Sequence, residues 1–306
     1  MSDTLTASGL VSAEWLAEHL GDDDLVVIEV SEGRQDSGVT SYADGHIPGA
    51  VEFLWYRDFV QRLTRDLATA EQITELAQSA GIDPDSKVVL YGDGNNWFAA
   101  YGAWVLRYYG LDVALLDGGR YKWEKADGRE LTTEVPAPAR GTWVSPGPDA
   151  SIRAFKDEVL QVSLGERDGV IIDIRGVPEY QGEIGVAPGF GGEAAAKWGH
   201  IPGAFNFPWG GNVKVPNDGG DGTFKDVEAI RARYAEQGID GSKPIYVYCR
   251  IGERASHTWF ALTQLLGYDA KVYDGSWTEW GNSVGTPVAN PTLEKSGGFS
   301  GLWGGN

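Results

Sequence analysis

The chain has 306 residues, 42% hydrophobic and 23% charged, which is more than one typical domain and enough for two soluble globular domains with separate cores. A net charge of −19 spread along the sequence argues against nonspecific nucleic-acid binding, which needs a cationic footprint, and acidic solubility accounts for it. A single cysteine excludes an internal disulfide and points to a reducing cytoplasm; neither a basic-then-apolar leader at Met1–Gly9 nor a run of about 18 apolar residues supports secretion or a membrane.

In chain order, a predicted amphipathic helix over about Ala13–Leu20 precedes the buried-strand pattern Leu25–Val30 and the turn Gly45-His46-Ile47-Pro48-Gly49-Ala50. Thr69 and Gln72 form a capping box for a helix ending before Gly81, and a strand ending at Tyr91 runs into Gly92-Asp93-Gly94-Asn95-Asn96-Trp97. The pattern then returns. A helix over Ile152–Ser163 and a strand over Gly169–Ile174 lead to an intact second copy of the turn, Gly199-His200-Ile201-Pro202-Gly203-Ala204. Asp226 is placed to cap a helix ending before Gly238. From Gly81/Gly238 a constant offset of 157 holds through Tyr91/Tyr248, Gly110/Gly267, Asp117/Asp274 and Trp123/Trp280. Two copies of one α/β unit follow: a first domain over 1–131, a linker over 132–149 rich in proline (Pro136, Pro138, Pro146, Pro148), and a second domain over 150–306. Strands alternating with helices predict, in each domain, a parallel sheet flanked by helices on both faces, with sites at the C-terminal strand ends.

Cys249 stands at such an end. The run Lys243–Tyr248 leads into Cys249-Arg250-Ile251-Gly252-Glu253-Arg254, and a helix closed at Gly267 follows. In a strand-turn-helix, the N–H groups of the turn and of the first helical turn converge into an anion-binding nest. A thiolate is stabilised there, with Arg250 and Arg254 at hand, whereas an inert core cysteine has no use for so charged a loop. The equivalent of Cys249 in the first copy is Gly92, so only the second domain carries a nucleophile. The first domain is then a remnant or one wall of an active-site cleft. In the latter case Trp97 and Phe98 are candidates to face Cys249 and exclude water; the alternative is ordinary core aromatics.

The twin Gly-His-Ile-Pro-Gly-Ala turns, the six-residue Cys249–Arg254 loop and Val272-Tyr273-Asp274-Gly275-Ser276-Trp277-Thr278-Glu279-Trp280-Gly281 resemble the tandem-domain rhodaneses, the thiosulfate and 3-mercaptopyruvate sulfurtransferase family. The resemblance implies an inactive first domain, a site between the domains and a persulfide on Cys249. It also implies a small anionic sulfur donor and a thiophilic acceptor such as cyanide or a thiol, with a protein as a further acceptor option; Arg250, Ile251, Gly252, Glu253, Arg254 and Trp97 are the candidates to bind the donor. No cofactor is implied, and no Cys/His cluster supports zinc.

Thiosulfate enzymes of the family commonly show Cys-Arg-Lys-Gly-Val-Thr and mercaptopyruvate enzymes Cys-Gly-Ser-Gly-Val-Thr. Arg250 matches the first kind and Ile251 departs from it, so thiosulfate is favoured over 3-mercaptopyruvate. A further family arginine aligns with Glu179, and Arg254, or else Arg175, is the candidate to replace its charge. A phosphatase or arsenate reductase loop would place its arginine at position 255, which is Ala255, leaving that chemistry as an alternative alongside a non-enzymatic persulfide carrier. His46 and His200 read as structural, His19 and His257 as packing residues. The glycine-rich insert 181–196 reads as a flexible loop, with a lid as the alternative. The Gly-rich tail from Lys295 is expected to be loose, with Trp303 docking.

Overall fold

A computed structural model describes residues 9–31, 41–185 and 194–295; the centre of the insert and the tail with Trp303 lie outside the described residues. The chain forms two compact units. One comprises 1–150 together with 212–226, the other 151–211 and 227–306.

In the first unit, strands β1 (Leu10–Val11), β2 (Leu25–Ser31), β3 (Val51–Leu54), β4 (Lys87–Tyr91) and β5 (Ala114–Leu116) form a parallel sheet in the order β1-β5-β4-β2-β3. The second repeats it with β6 (Arg153–Ala154), β7 (Val170–Asp173), β8 (Phe205–Asn206), β9 (Ile245–Tyr248) and β10 (Ala270–Tyr273), in the order β6-β10-β9-β7-β8. The central strands are buried, β9 along its length and β4 from Val88 on, because helices cover both faces, and β9 accordingly reads Ile-Tyr-Val-Tyr with no polar alternation. The capping box at Thr69 forms as expected: its hydroxyl accepts the Gln72 N–H at 3.3 Å, while the Gln72 side chain accepts the Thr69 N–H at 2.8 Å.

The contiguous division 1–131, 132–149 and 150–306 differs from these units in two ways. Residues 132–149 hold almost no regular structure, yet they are tied along the first unit. The N–H groups of Thr142 and Trp143 donate to the Ile82 carbonyl at 3.1 and 3.0 Å, and Trp143 is buried. Residues 212–226, read as part of the second repeat, pack with the first unit as an excursion closed by the antiparallel bridge Val213–Phe224. The Phe224 N–H donates to the Asp117 carboxylate at 2.8 Å, and Lys122 lies 3.4 Å from Asp221.

Each sheet buries one charged network at the same place. In the first unit Glu29, on β2, accepts from Arg120 at 3.0 Å and from the Tyr91 hydroxyl at 2.5 Å; Arg120 also donates to the Gly45 carbonyl, and the Ile47 N–H donates to Tyr91. In the second, Asp173 accepts from Arg175 at 2.6 Å and from Tyr248 at 2.7 Å; Arg175 donates to the Gly199 carbonyl and the Ile201 N–H to Tyr248. The repeated turn motif is thus a structural clasp, and its histidines stack on Tyr42 and Tyr180 at 3.7 and 3.6 Å.

Candidate active site

Cys249 follows β9 directly and is fully buried. Its sulfur accepts the Gly252 N–H at 3.1 Å, so the loop folds back on the thiol. Gly252 holds φ +97, ψ −24, and a Cβ there would meet the Asp274 Cα at 2.8 Å, so both backbone and space demand glycine. The helix Glu253–Phe260 starts immediately after it, and Ser256 donates through N–H and hydroxyl to the Gly252 carbonyl.

The turn after β10 grips the loop from outside. The Cys249 N–H donates to the Ser276 hydroxyl at 3.1 Å, and that hydroxyl donates to the Tyr273 carbonyl at 2.8 Å. The N–H groups of Trp277 and Thr278 donate to the carbonyls of Cys249 and Arg250 at 3.1 and 3.0 Å. Ser276 reaches this position with φ +52, a left-handed value rarely taken by a side-chain-bearing residue. Asp274 is clamped by Arg153, whose Nε and Nη2 lie 3.0 and 2.9 Å from its two oxygens.

Of the residues expected at the site, Cys249 through Arg254 come together in one loop. Ile251 and Glu253 are buried there, with Arg250 and Arg254 half-buried. Trp97 belongs to the other unit, where it is half-buried and stacks on Phe98 at 5.2 Å; Phe98 stacks in turn on Trp55 at 5.2 Å. Arg175, the second candidate for the missing family cation, is overturned as a substrate group. It is 1% exposed and fully engaged by Asp173, the Gly199 carbonyl and the Trp277 ring 4.5 Å away. Burial opposes its charge and Asp173 more than restores it, so the guanidinium stays protonated above its ordinary range. Glu179 is buried and accepts the Gly176 N–H at 3.3 Å. Sequence reasoning missed Arg153 and Ser276; the Asp-Gly-Ser-Trp run was the available signal for the latter.

The first unit carries Gly92 at the position of Cys249, and its loop is built differently. Gly92 is extended, and a Cβ on it would meet the Val30 carbonyl at 2.7 Å. Gly94, Asn95 and Asn96 all take φ near +60, and the buried Asn96 amide fills the loop, accepting the Gly92 N–H at 3.0 Å and donating to the Leu116 carbonyl at 2.5 Å.

Rhodanese-like domains match this sequence over residues 12–126 and 157–283. The chain belongs to the rhodanese family. This rhodanese is 48% identical over 284 residues to the sulfur carrier protein TtuD of Thermus thermophilus, covering 92% of this chain and 96% of the relative. It is 45% identical over the same length to a Saccharopolyspora erythraea protein provisionally named thiosulfate sulfurtransferase, with the same coverage. Among solved structures, the 3-mercaptopyruvate sulfurtransferase SseA of Escherichia coli superposes with TM-score 0.73 at 29% identity, over 88% of this chain and 98% of that one. An anaerobic ergothioneine biosynthesis enzyme of Chlorobium limicola gives 0.76 at 26%, over 92% and 70%. The protein is a rhodanese-family sulfurtransferase. Among the described residues no helix is long and apolar enough to cross a membrane.

Proposed function

We propose that this sulfurtransferase takes the sulfane sulfur of thiosulfate onto Cys249 and passes it to a thiophilic acceptor such as cyanide or a thiol. The observation that carries the reading is the Gly252 N–H aimed at the Cys249 sulfur from a loop flanked by Arg250 and Arg254. The Cys249 thiolate attacks the outer sulfur of thiosulfate. A new S–S bond forms, the old one breaks, and sulfite leaves with its electron pair. The acceptor then attacks the terminal sulfur, forms its own bond to it, and returns the electron pair to Cys249 as thiolate. A hard transfer becomes two displacements, with fixed N–H dipoles meeting the negative charge at the sulfur. Arg250 and Arg254 offer forked donors to the sulfonate of the donor.

A second reading, a persulfide carrier that accepts sulfur from one protein and hands it to another, is favoured by the 48% identity to a relative named as a sulfur carrier. Intact mass after incubation with thiosulfate tests the first reading, using the native chain and Cys249→Ser. The expected result is a gain of about one sulfur atom on the native chain alone, removed by cyanide. No gain with thiosulfate, but gain from mercaptopyruvate or from a protein persulfide, would replace it by the sister activity or by the carrier.

A further inference from the structure

The two units differ at one position behind the loop that the proposed chemistry does not use. Asp274 and its counterpart Asp117 occupy the same place, directly after β10 and β5, but their partners differ. Arg153 on β6 pairs with Val272 of β10, and its guanidinium clamps Asp274 through two oxygens; both side chains are largely buried. The position of Arg153 in the first sheet is held by Leu10, which pairs with Leu115 of β5. Asp117 therefore has no strand-borne guanidinium, and in its place the Phe224 N–H is its donor. The arginine accompanies the cysteine; where glycine replaces the cysteine, leucine replaces the arginine.

Asp274 is also the wall against which the sulfur-binding turn leans, since its Cα, Cβ and carbonyl oxygen crowd the space beside the Gly252 Cα at 2.8–3.0 Å from an ideal Cβ. Gly252 supplies the N–H on the sulfur. An uncompensated carboxylate at this wall would oppose any negative charge in the loop, because like charges in a buried site disfavour each other's ionised forms.

We infer that Arg153 is a positioning residue for the sulfur site, acting through Asp274: it holds and neutralises that carboxylate so that the loop accommodates an anionic sulfur. This rests on Cys249 being the sulfur-bearing group. Other charges around the loop are accounted for and stay constant in the test. Arg250, Glu253, Arg254 and His257 lie on the loop and its helix. On β7 and β9, Asp173 is paired with Arg175 and Tyr248. After β10, Glu279 accepts from Tyr273.

The experiment is a pH titration of Cys249 thiolate absorbance, each variant being referenced to the same variant carrying Cys249→Ser. Arg153→Met is expected to raise the half-ionisation pH by about one unit, a tenfold loss of thiolate on the low-pH side. Arg153→Lys, which keeps the charge, and the double variant Arg153→Met with Asp274→Asn, which removes both charges, are expected to stay within about a third of a unit of the native chain. An unmoved titration in Arg153→Met overturns the inference. So does a shift that the double variant fails to reverse, since a purely packing role predicts no rescue. If Arg153→Met does not fold, the lysine and double variants carry the decision: either one displaced by a full unit overturns it. Failure of the persulfide reading is separate, because it appears as an unchanged mass with every sulfur donor whatever the titration shows.

Discussion

At the residue scale the cost of building the loop is concentrated at Ser276. Its counterpart in the first unit is Gly119, with φ +54, where the conformation costs nothing extra and where a Cβ would strike the Asn96 amide oxygen. In the second unit the position carries a side chain at nearly the same φ, and the hydroxyl takes the buried N–H of Cys249. The left-handed backbone costs a side-chain-bearing residue about 1–2 kcal/mol, while an unsatisfied buried N–H costs about 1–3 kcal/mol. The strain is accepted because the hydrogen bond offsets it. Ser276→Ala keeps the strain and loses the bond, whereas Ser276→Gly loses the bond and relieves the strain. Guanidinium unfolding should therefore rank native above glycine and glycine above alanine, the last two differing by about 1–2 kcal/mol. Intrinsic helix propensity alone places alanine about 1 kcal/mol above glycine, so that order would refute the account.

At the element scale, the two buried networks solve one problem with arginines from different elements. Position by position, Arg120 faces Trp277 across the repeat and Ser31 faces Arg175. In space the two exchanges compensate, because each sheet ends with one guanidinium on its buried carboxylate and on the glycine carbonyl of the repeated turn. This is where the sequence was only half legible. The duplication, the parallel strands, the glycine at the cysteine position of the first copy and the loop that carries Cys249 follow from local pattern and fixed offset, which depend on neighbours along the chain. The arginine exchange depends on side chains converging from separate elements, so Arg175 stood out in the sequence as a spare cation when it is a committed one. Removing it by Arg175→Met strands Asp173 in the interior and should cost about 3–5 kcal/mol of stability. Arg254→Ala, at a half-buried position of the loop, should leave thermal unfolding within a few degrees of native and raise KM for thiosulfate about tenfold, the loss expected when one charged contact to an anion goes. Thermal melts paired with steady-state kinetics separate the two arginines, and a KM effect confined to a fully stable Arg175→Met would reverse the assignment.

At the scale of the whole molecule, the chain does not divide where its repeat divides. The excursion 212–226 lies within the second repeat by sequence and packs with the first unit, an arrangement the offset does not reveal because the corresponding first-copy segment, closed by the bridge Val60–Leu67, stays within the unit of its own repeat. Asp117 holds it through the Phe224 N–H, and burial, the largest influence, raises the Asp117 carboxyl from its ordinary 3.8 to about 6 against the lowering effect of that N–H. The sign of the linkage follows. With a folded-state value above the unfolded one, the folded protein holds the proton more tightly, so this group costs nothing below about pH 3.8, removes stability progressively as pH rises from there to about 6, and leaves a constant penalty above. That penalty is on the order of 2–3 kcal/mol at neutral pH. Asp117→Asn keeps an oxygen to accept the Phe224 N–H and removes the ionisation. Its Tm should exceed that of the native chain by several degrees near pH 7, and the gain should shrink towards zero as pH falls from about 6 to about 4. A gain independent of pH would show that the substitution acts by packing. A loss at neutral pH that fades as Asp117 protonates at low pH would show that the excursion is held by the charge of Asp117, with ionisation favourable in place.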